Sequence, residues 1–233
     1  MFRTAMLALL ASASVATAAA MPPGIELSKD HSKTFVLNPP STILHNLPGK
    51  GGLVTIVDNI GTKYPQGSYW CCTGNSLFGP DGLPGNAEFW LGAAFTPGAD
   101  YTVTRIEVAA TNVQGTNSLT LSIASDSNGV PGTVLKSWVI KNLPPLGSCC
   151  TVDIQNDKDG VAVTAGQQYW ITLTTDSKEA NTWATWQYND TDQVDAGKVA
   201  YYCSDDVGGF CVADDVWTAT TYTPGLAFAV MGK

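Results

Sequence analysis

The sequence predicts an all-β fold, an antiparallel β-sandwich or jelly roll of about ten strands stabilised by disulfides. Three observations carry this. Short β-branched and aromatic runs recur at even spacing, with turn residues between them. Charged residues make up only 14% of the chain, while Gly (23) and Pro (13) are plentiful. After the first twenty residues no long Ala, Leu, Glu and Lys-rich segment appears that would favour a helix.

Residues 1–20 have the layout of a secretory signal peptide: Arg3, then the apolar run Ala5 to Leu10, then small residues ending at Ala16, Ala18 and Ala20. That apolar core is far shorter than the ~20 residues needed to span a bilayer. Residues 21–50 hold both histidines and several prolines without periodicity, and read as an extended arm. Residues 51–233 form the single expected domain. Its strand candidates begin with Leu53 to Val57, and Gly67 to Asn86 reads as a long surface loop because it is rich in Gly, Pro, Asn and Ser. Next come Phe89 to Phe95, Tyr101 to Ala110, Ser118 to Ser125, Thr133 to Ile140, Cys150 to Ile154, Val161 to Thr164 and Gln168 to Thr175. The last four are Thr182 to Tyr188, Lys198 to Tyr202, Val216 to Thr221 and Leu226 to Met231. In Leu119-Thr120-Leu121-Ser122-Ile123 the alternation is strict, which marks a half-buried strand. Around Arg105 the alternation slips by one, as at a β-bulge. Asn128-Gly129-Val130-Pro131-Gly132 marks a turn.

Six cysteines stand as Cys71-Cys72, Cys149-Cys150, and Cys203 with Cys211. In an exported chain an even count reads as disulfides, with fifteen full pairings open to sequence. The preferred bridge joins Cys203 to Cys211, and the two adjacent pairs are expected to face each other. A bridge between those pairs would close nearly eighty residues and contribute roughly 4 kcal/mol in the chain-entropy model. Zinc is the weaker reading, since adjacent cysteines lack the usual ligand spacing.

A formal net charge of −8 repels phosphate backbones and anionic headgroups, so neither nucleic-acid binding nor membrane insertion is expected. The tail ends at Lys233 without an anchoring segment, so the expected location is secreted or periplasmic.

Aromatic residues crowd the last third of the chain. If Thr182 to Tyr188 is a strand, Trp183 lies on one face and Trp186 with Tyr188 on the other. Rings beside polar groups suit a sugar, whose C–H faces stack while its hydroxyls need partners. Trp183, Trp186, Tyr188 and Asn189 are therefore the candidate ligand-binding residues. Core packing is the plainer reading for Trp170 and Trp186, with exposure reserved for Trp183 and Tyr188. Asp190, Asp192, Asp205 and Asp206 form a candidate calcium set, because calcium takes six to eight oxygens from loops. A solvated acidic surface is the favoured reading of those carboxylates.

Catalytic residues are scarce. His31 and His45 both fall in the arm, and no Gly-x-Ser-x-Gly, His-Glu-x-x-His or phosphate loop is present. Glu107 alternates with apolar neighbours as an outward strand residue does. No enzyme is expected.

Six stretches stand in order along the chain: Ile56-Val57-Asp58-Asn59, Phe95-Thr96-Pro97, Asn117-Ser118-Leu119-Thr120-Leu121-Ser122-Ile123, Gly129-Val130-Pro131-Gly132-Thr133-Val134-Leu135, Thr164-Ala165-Gly166-Gln167-Gln168-Tyr169-Trp170 and Leu226-Ala227-Phe228-Ala229-Val230-Met231-Gly232. In these the chain resembles the bacterial exported family called choice-of-anchor R, related to PEP-CTERM surface proteins. The resemblance implies a β-sandwich on the outside of a bacterium with no catalytic residues. The functional expectation is an exported, non-enzymatic surface, matrix or adhesion component. The alternative is a carbohydrate-binding module, calcium-dependent if the Asp set binds, with an extracellular glycan or surface protein as partner.

Overall fold

A computed structural model describes residues 52–60, 69–82, 87–147, 151–155, 158–189, 198–204, 215–221 and 225–233. The described residues are all-β, in fourteen strands where the sequence suggested about ten. They are β1 (Val54–Asp58), β2 (Tyr69–Phe78), β3 (Phe89–Phe95), β4 (Tyr101–Val108), β5 (Ala110–Gln114), β6 (Ser118–Ser127) and β7 (Val130–Lys141). Then follow β8 (Val152–Gln155), β9 (Val161–Val163), β10 (Tyr169–Thr174), β11 (Trp183–Asn189), β12 (Lys198–Cys203), β13 (Val216–Thr221) and β14 (Phe228–Gly232). Among them no helix is long and apolar enough to cross a membrane.

Two antiparallel sheets result. The smaller runs β1-β14-β4-β8, with β9 also on β4. The larger runs β5-β11-β2-β3-β10-β6-β7, and β12 joins β3 to β13. β6 and β7 form a hairpin through Asn128 and Gly129, whose φ values of 57° and 89° are the left-handed pair a two-residue turn needs. Opposite β14 the register slips between Arg105 and Val103, at the site of the expected bulge.

The alternation of the strands explains the core. Ile171 lies opposite Ala93 and Ile123, and Leu173 opposite Leu91 and Leu121, so one pleat of three strands is wholly apolar. These side chains cluster with Ile106, Val108, Phe228 and Val230 of the smaller sheet. Full burial of each such side chain contributes roughly 1.5–3 kcal/mol.

The two sheets share a seam. Only Ala109 separates β4, in the smaller sheet, from β5 in the larger one. Its amide donates to Ala227 O and its carbonyl accepts from Gln187 N. Leu226 bridges Tyr188 just before β14 begins in the other sheet. Asn59, 8% exposed, closes the seam. Its Nδ2 donates to Leu226 O at 2.8 Å, its Oδ1 accepts from Phe228 N at 2.6 Å, and its amide donates to Phe228 O. β1 and β14 are antiparallel neighbours, and Val54 pairs with Gly232.

One expectation is overturned outright. The stretch Gly67 to Asn86, read as a loop, contains the ten-residue β2 between β11 and β3. Its small and polar residues serve packing partners rather than turns. A Cβ at Gly74 would lie 2.1 Å from Trp186 O, so only glycine fits there. Asn75 and Ser76 accept hydrogen bonds from Tyr188 and Trp183.

Candidate functional site

The sequence placed its aromatic candidates on one strand, and the structure agrees on the strand but not on their exposure. Every residue of β11 is buried, because β5 and β2 flank it and both pleats are covered. Trp183 is 3% exposed, Trp186 0%, Tyr188 4% and Asn189 1%. Each ring also has an internal hydrogen bond. Trp183 Nε1 donates to Ser76 Oγ at 3.1 Å, Trp186 Nε1 to Ala227 O at 2.8 Å, and Tyr188 OH to Asn75 Oδ1 at 2.6 Å. These groups are core, and the exposed sugar-binding face expected at Trp183 and Tyr188 is not there. Trp170 is likewise fully buried, as its plainer reading required.

Asp190, Asp192, Asp205 and Asp206 lie outside the described residues, as do Cys149, Cys150 and Cys211. Cys71 and Cys72 stand on β2, with side chains outside the described set. Cys203 is buried at the end of β12. Among the described residues no group of three or more His, Cys, Asp or Glu could hold a metal ion. Glu107 sits on the pleat opposite Ile106 and Val108 as its alternation implied, yet it is only 5% exposed and accepts a hydrogen bond from Thr151.

A different aromatic group is partly open to solvent. Register places Tyr202 of β12 opposite Trp90 of β3 and Trp217 of β13. Directly opposed residues share a pleat, so the three rings form one row across three strands. Their neighbours Phe89, Leu91, Tyr201 and Cys203 point the other way, into the main core. The row therefore lies on the outer face. Trp90 and Tyr202 stack with centroids 4.3 Å apart and planes at 14°. Trp217 leans over both, 6.5 Å from Trp90 at 42° and 5.9 Å from Tyr202 at 54°.

Polar bonds fix two of the rings. Trp90 Nε1 donates to Thr175 Oγ1 at 2.9 Å, and Tyr202 OH donates to Asp215 Oδ1 at 3.0 Å. Two residues back along β3 stands Glu88, whose amide donates to Ser204 Oγ at 2.7 Å and whose carbonyl accepts from Ser204 N. Asp215 N donates to Cys203 O, which extends the same ladder to β13. A row of Glu88, Ser204 and Asp215 thus borders the row of rings. Burial first, and the charge of Asp215 second, push the Glu88 carboxyl above its ordinary range. Burial, then the hydrogen bond to Asp215, push the Tyr202 phenol up as well. On the other side of the rings come Gly92, Ala200 and Ala219, which are covered by Trp170 and Pro131, and Trp217 packs against this second buried cluster.

A second concavity of about 360 Å³ is lined by Ser118, Lys141, Asp176 and Glu179 among others. Glu179 is 2% exposed there, and both of its oxygens are engaged, by Ser118 Oγ on one side and Asp176 N on the other. It fastens a turn.

Sequence reasoning missed the ring row because its members are distant in the chain. The available signal was the partition of Phe89–Phe95, with Trp90, Gly92 and Ala94 on one pleat and Phe89, Leu91, Ala93 and Phe95 on the other. No family model and no curated protein matches this chain.

Proposed function

We propose that this chain is an exported, non-enzymatic β-sandwich of the surface, matrix or adhesion type, which holds extracellular glycan on the row Trp90, Tyr202 and Trp217. The observation that carries the reading is that row: three partly exposed rings, two of them held by hydrogen bonds, on the outer face of the larger sheet. Trp90 and Tyr202 turn one face each towards the other, so the faces left for a pyranose C–H surface are the outer ones of the row, and Ser204, Glu88 and Asp215 supply polar partners for hydroxyls. Rigid rings lose little entropy on binding, which favours even a shallow site. Kinship with the choice-of-anchor R family and a secreted or periplasmic location belong to the same proposal. So does a Cys203–Cys211 bridge at the end of β12.

A glycan array tests it with the wild-type chain, Trp90→Ala and Trp217→Ala, with and without EDTA. The expected result is binding to pyranose oligomers that either substitution weakens at least tenfold, while the melting temperature shows the domain still folded. Flat signal on every sugar overturns the reading. Loss of signal with EDTA would show that binding needs a divalent cation, and signal unchanged by EDTA would remove the calcium reading of Asp190, Asp192, Asp205 and Asp206.

A further inference from the structure

We propose that the ring row selects amino-sugar residues carrying a positive charge over neutral sugars of the same shape. This rests on the glycan reading above and adds the chemical class of the ligand. Its basis is the geometry of two adjacent rows: rings at Trp90, Tyr202 and Trp217, carboxylates at Glu88 and Asp215.

A cation over an aromatic face is attracted by the ring quadrupole, and a carboxylate at the ring's edge adds a direct charge. Here the two features are adjacent, because Asp215 accepts a hydrogen bond from the hydroxyl of Tyr202, whose ring lies between Trp90 and Trp217 and leaves the outer faces of the row for a cation. Asp215 itself is exposed, so an incoming amine reaches it without displacing protein. Glu88 carries the second carboxylate of that row, and burial and the charge of Asp215 both raise its proton affinity. Two carboxyls that disfavour each other's charge gain from a cation placed near them. The lysine on β12, Lys198, is four residues from Tyr202, about 13 Å along the strand and beyond a Debye length at physiological salt. At that distance Lys198 does little to neutralise the negative end of the row. The chain's net charge of −8 adds long-range attraction of the same sign.

The test compares glucosamine oligomers, their N-acetylated counterparts of equal length, and a quaternised form with fixed positive charge, by calorimetry on the full chain. The charged oligomers are expected to bind roughly tenfold tighter than the N-acetylated one, the sum of a cation–ring contact and one exposed ion pair. That advantage should shrink as salt is raised, while neutral binding stays put. Asp215→Asn is the informative variant, because Asp215 has φ of +57° and asparagine tolerates that conformation. It should bring the charged oligomers down towards the neutral affinity. Equal affinity for charged and N-acetylated oligomers overturns the charge selection and leaves the platform reading standing. A full tenfold preference in Asp215→Asn overturns the role of that carboxylate. No binding of any oligomer overturns the platform reading and this inference with it.

Discussion

Asn59 gives the sharpest test of how the two sheets are joined. Replacing it with alanine removes a donor to Leu226 O and an acceptor for Phe228 N, both buried, while the backbone bond from its amide survives. Each group left unsatisfied in the interior costs about 1–3 kcal/mol, so Asn59→Ala should destabilise by roughly 3–4 kcal/mol. Domains of this kind have only about 5–15 kcal/mol in total. With a urea m-value of about 3 kcal/mol per M, the midpoint should fall by about 1 M in equilibrium unfolding followed by tryptophan fluorescence. Asn59→Asp adds a control. It keeps the acceptor but sets a carboxylate against Leu226 O, which raises the folded pKa of the new group. A raised folded pKa contributes stability below the unfolded value near 4, lost as pH rises through the folded value. Asn59→Asp should therefore come closest to wild type near pH 4 and fall away towards neutrality. A midpoint shift under roughly 0.2 M for Asn59→Ala would refute the idea that this side chain closes the seam.

Two further predictions concern β2 and the end of β6. Gly74→Ala should cost roughly 1–3 kcal/mol in the same unfolding assay, because the new methyl would meet Trp186 O at 2.1 Å; an unchanged midpoint would show that β2 shifts freely. Asp126 accepts from Trp170 Nε1 at 2.8 Å, from Gly129 N at 3.0 Å and from Gln168 Nε2. Burial alone would push its carboxyl up, but these bonds and the charge of Lys198 outweigh that and hold it below its usual value. A depressed folded pKa adds stability above the unfolded value near 4, lost as pH falls through the folded one. Asp126→Asn should accordingly flatten the drop in melting temperature below about pH 4, and an equal drop in both proteins would sink this account.

The sequence was most legible where local pattern and fold coincide. Phe89–Phe95 and Val216–Thr221 match their expected bounds, because their runs are β-branched or aromatic and end at turn residues. β2 was illegible for the opposite reason. Gly74, Asn75 and Ser76 look like turn formers, yet their roles are set by Trp186, Tyr188 and Trp183, more than a hundred residues away. Tyr101 to Ala110 was read as one strand, and nothing local announces that the chain changes sheets at Ala109. Alternation placed Trp183 and Tyr188 on opposite pleats, yet the pairing of β11 slips next to Trp183 and around Tyr188, and both join one core cluster. Alternation divides faces but cannot say which are covered, and on β11 both are. Trp90, Tyr202 and Trp217 become one surface only through pairing between strands far apart in the chain.

The pairing of Val54 with Gly232 has a mechanical meaning for a protein proposed to act in adhesion. A pull applied between these two positions runs across the β1–β14 ladder rather than along it, so its hydrogen bonds load one at a time, like a zipper. Such a ladder opens at low force. The remaining sheet contacts, including the ring row on β3, β12 and β13, lie off that line of tension.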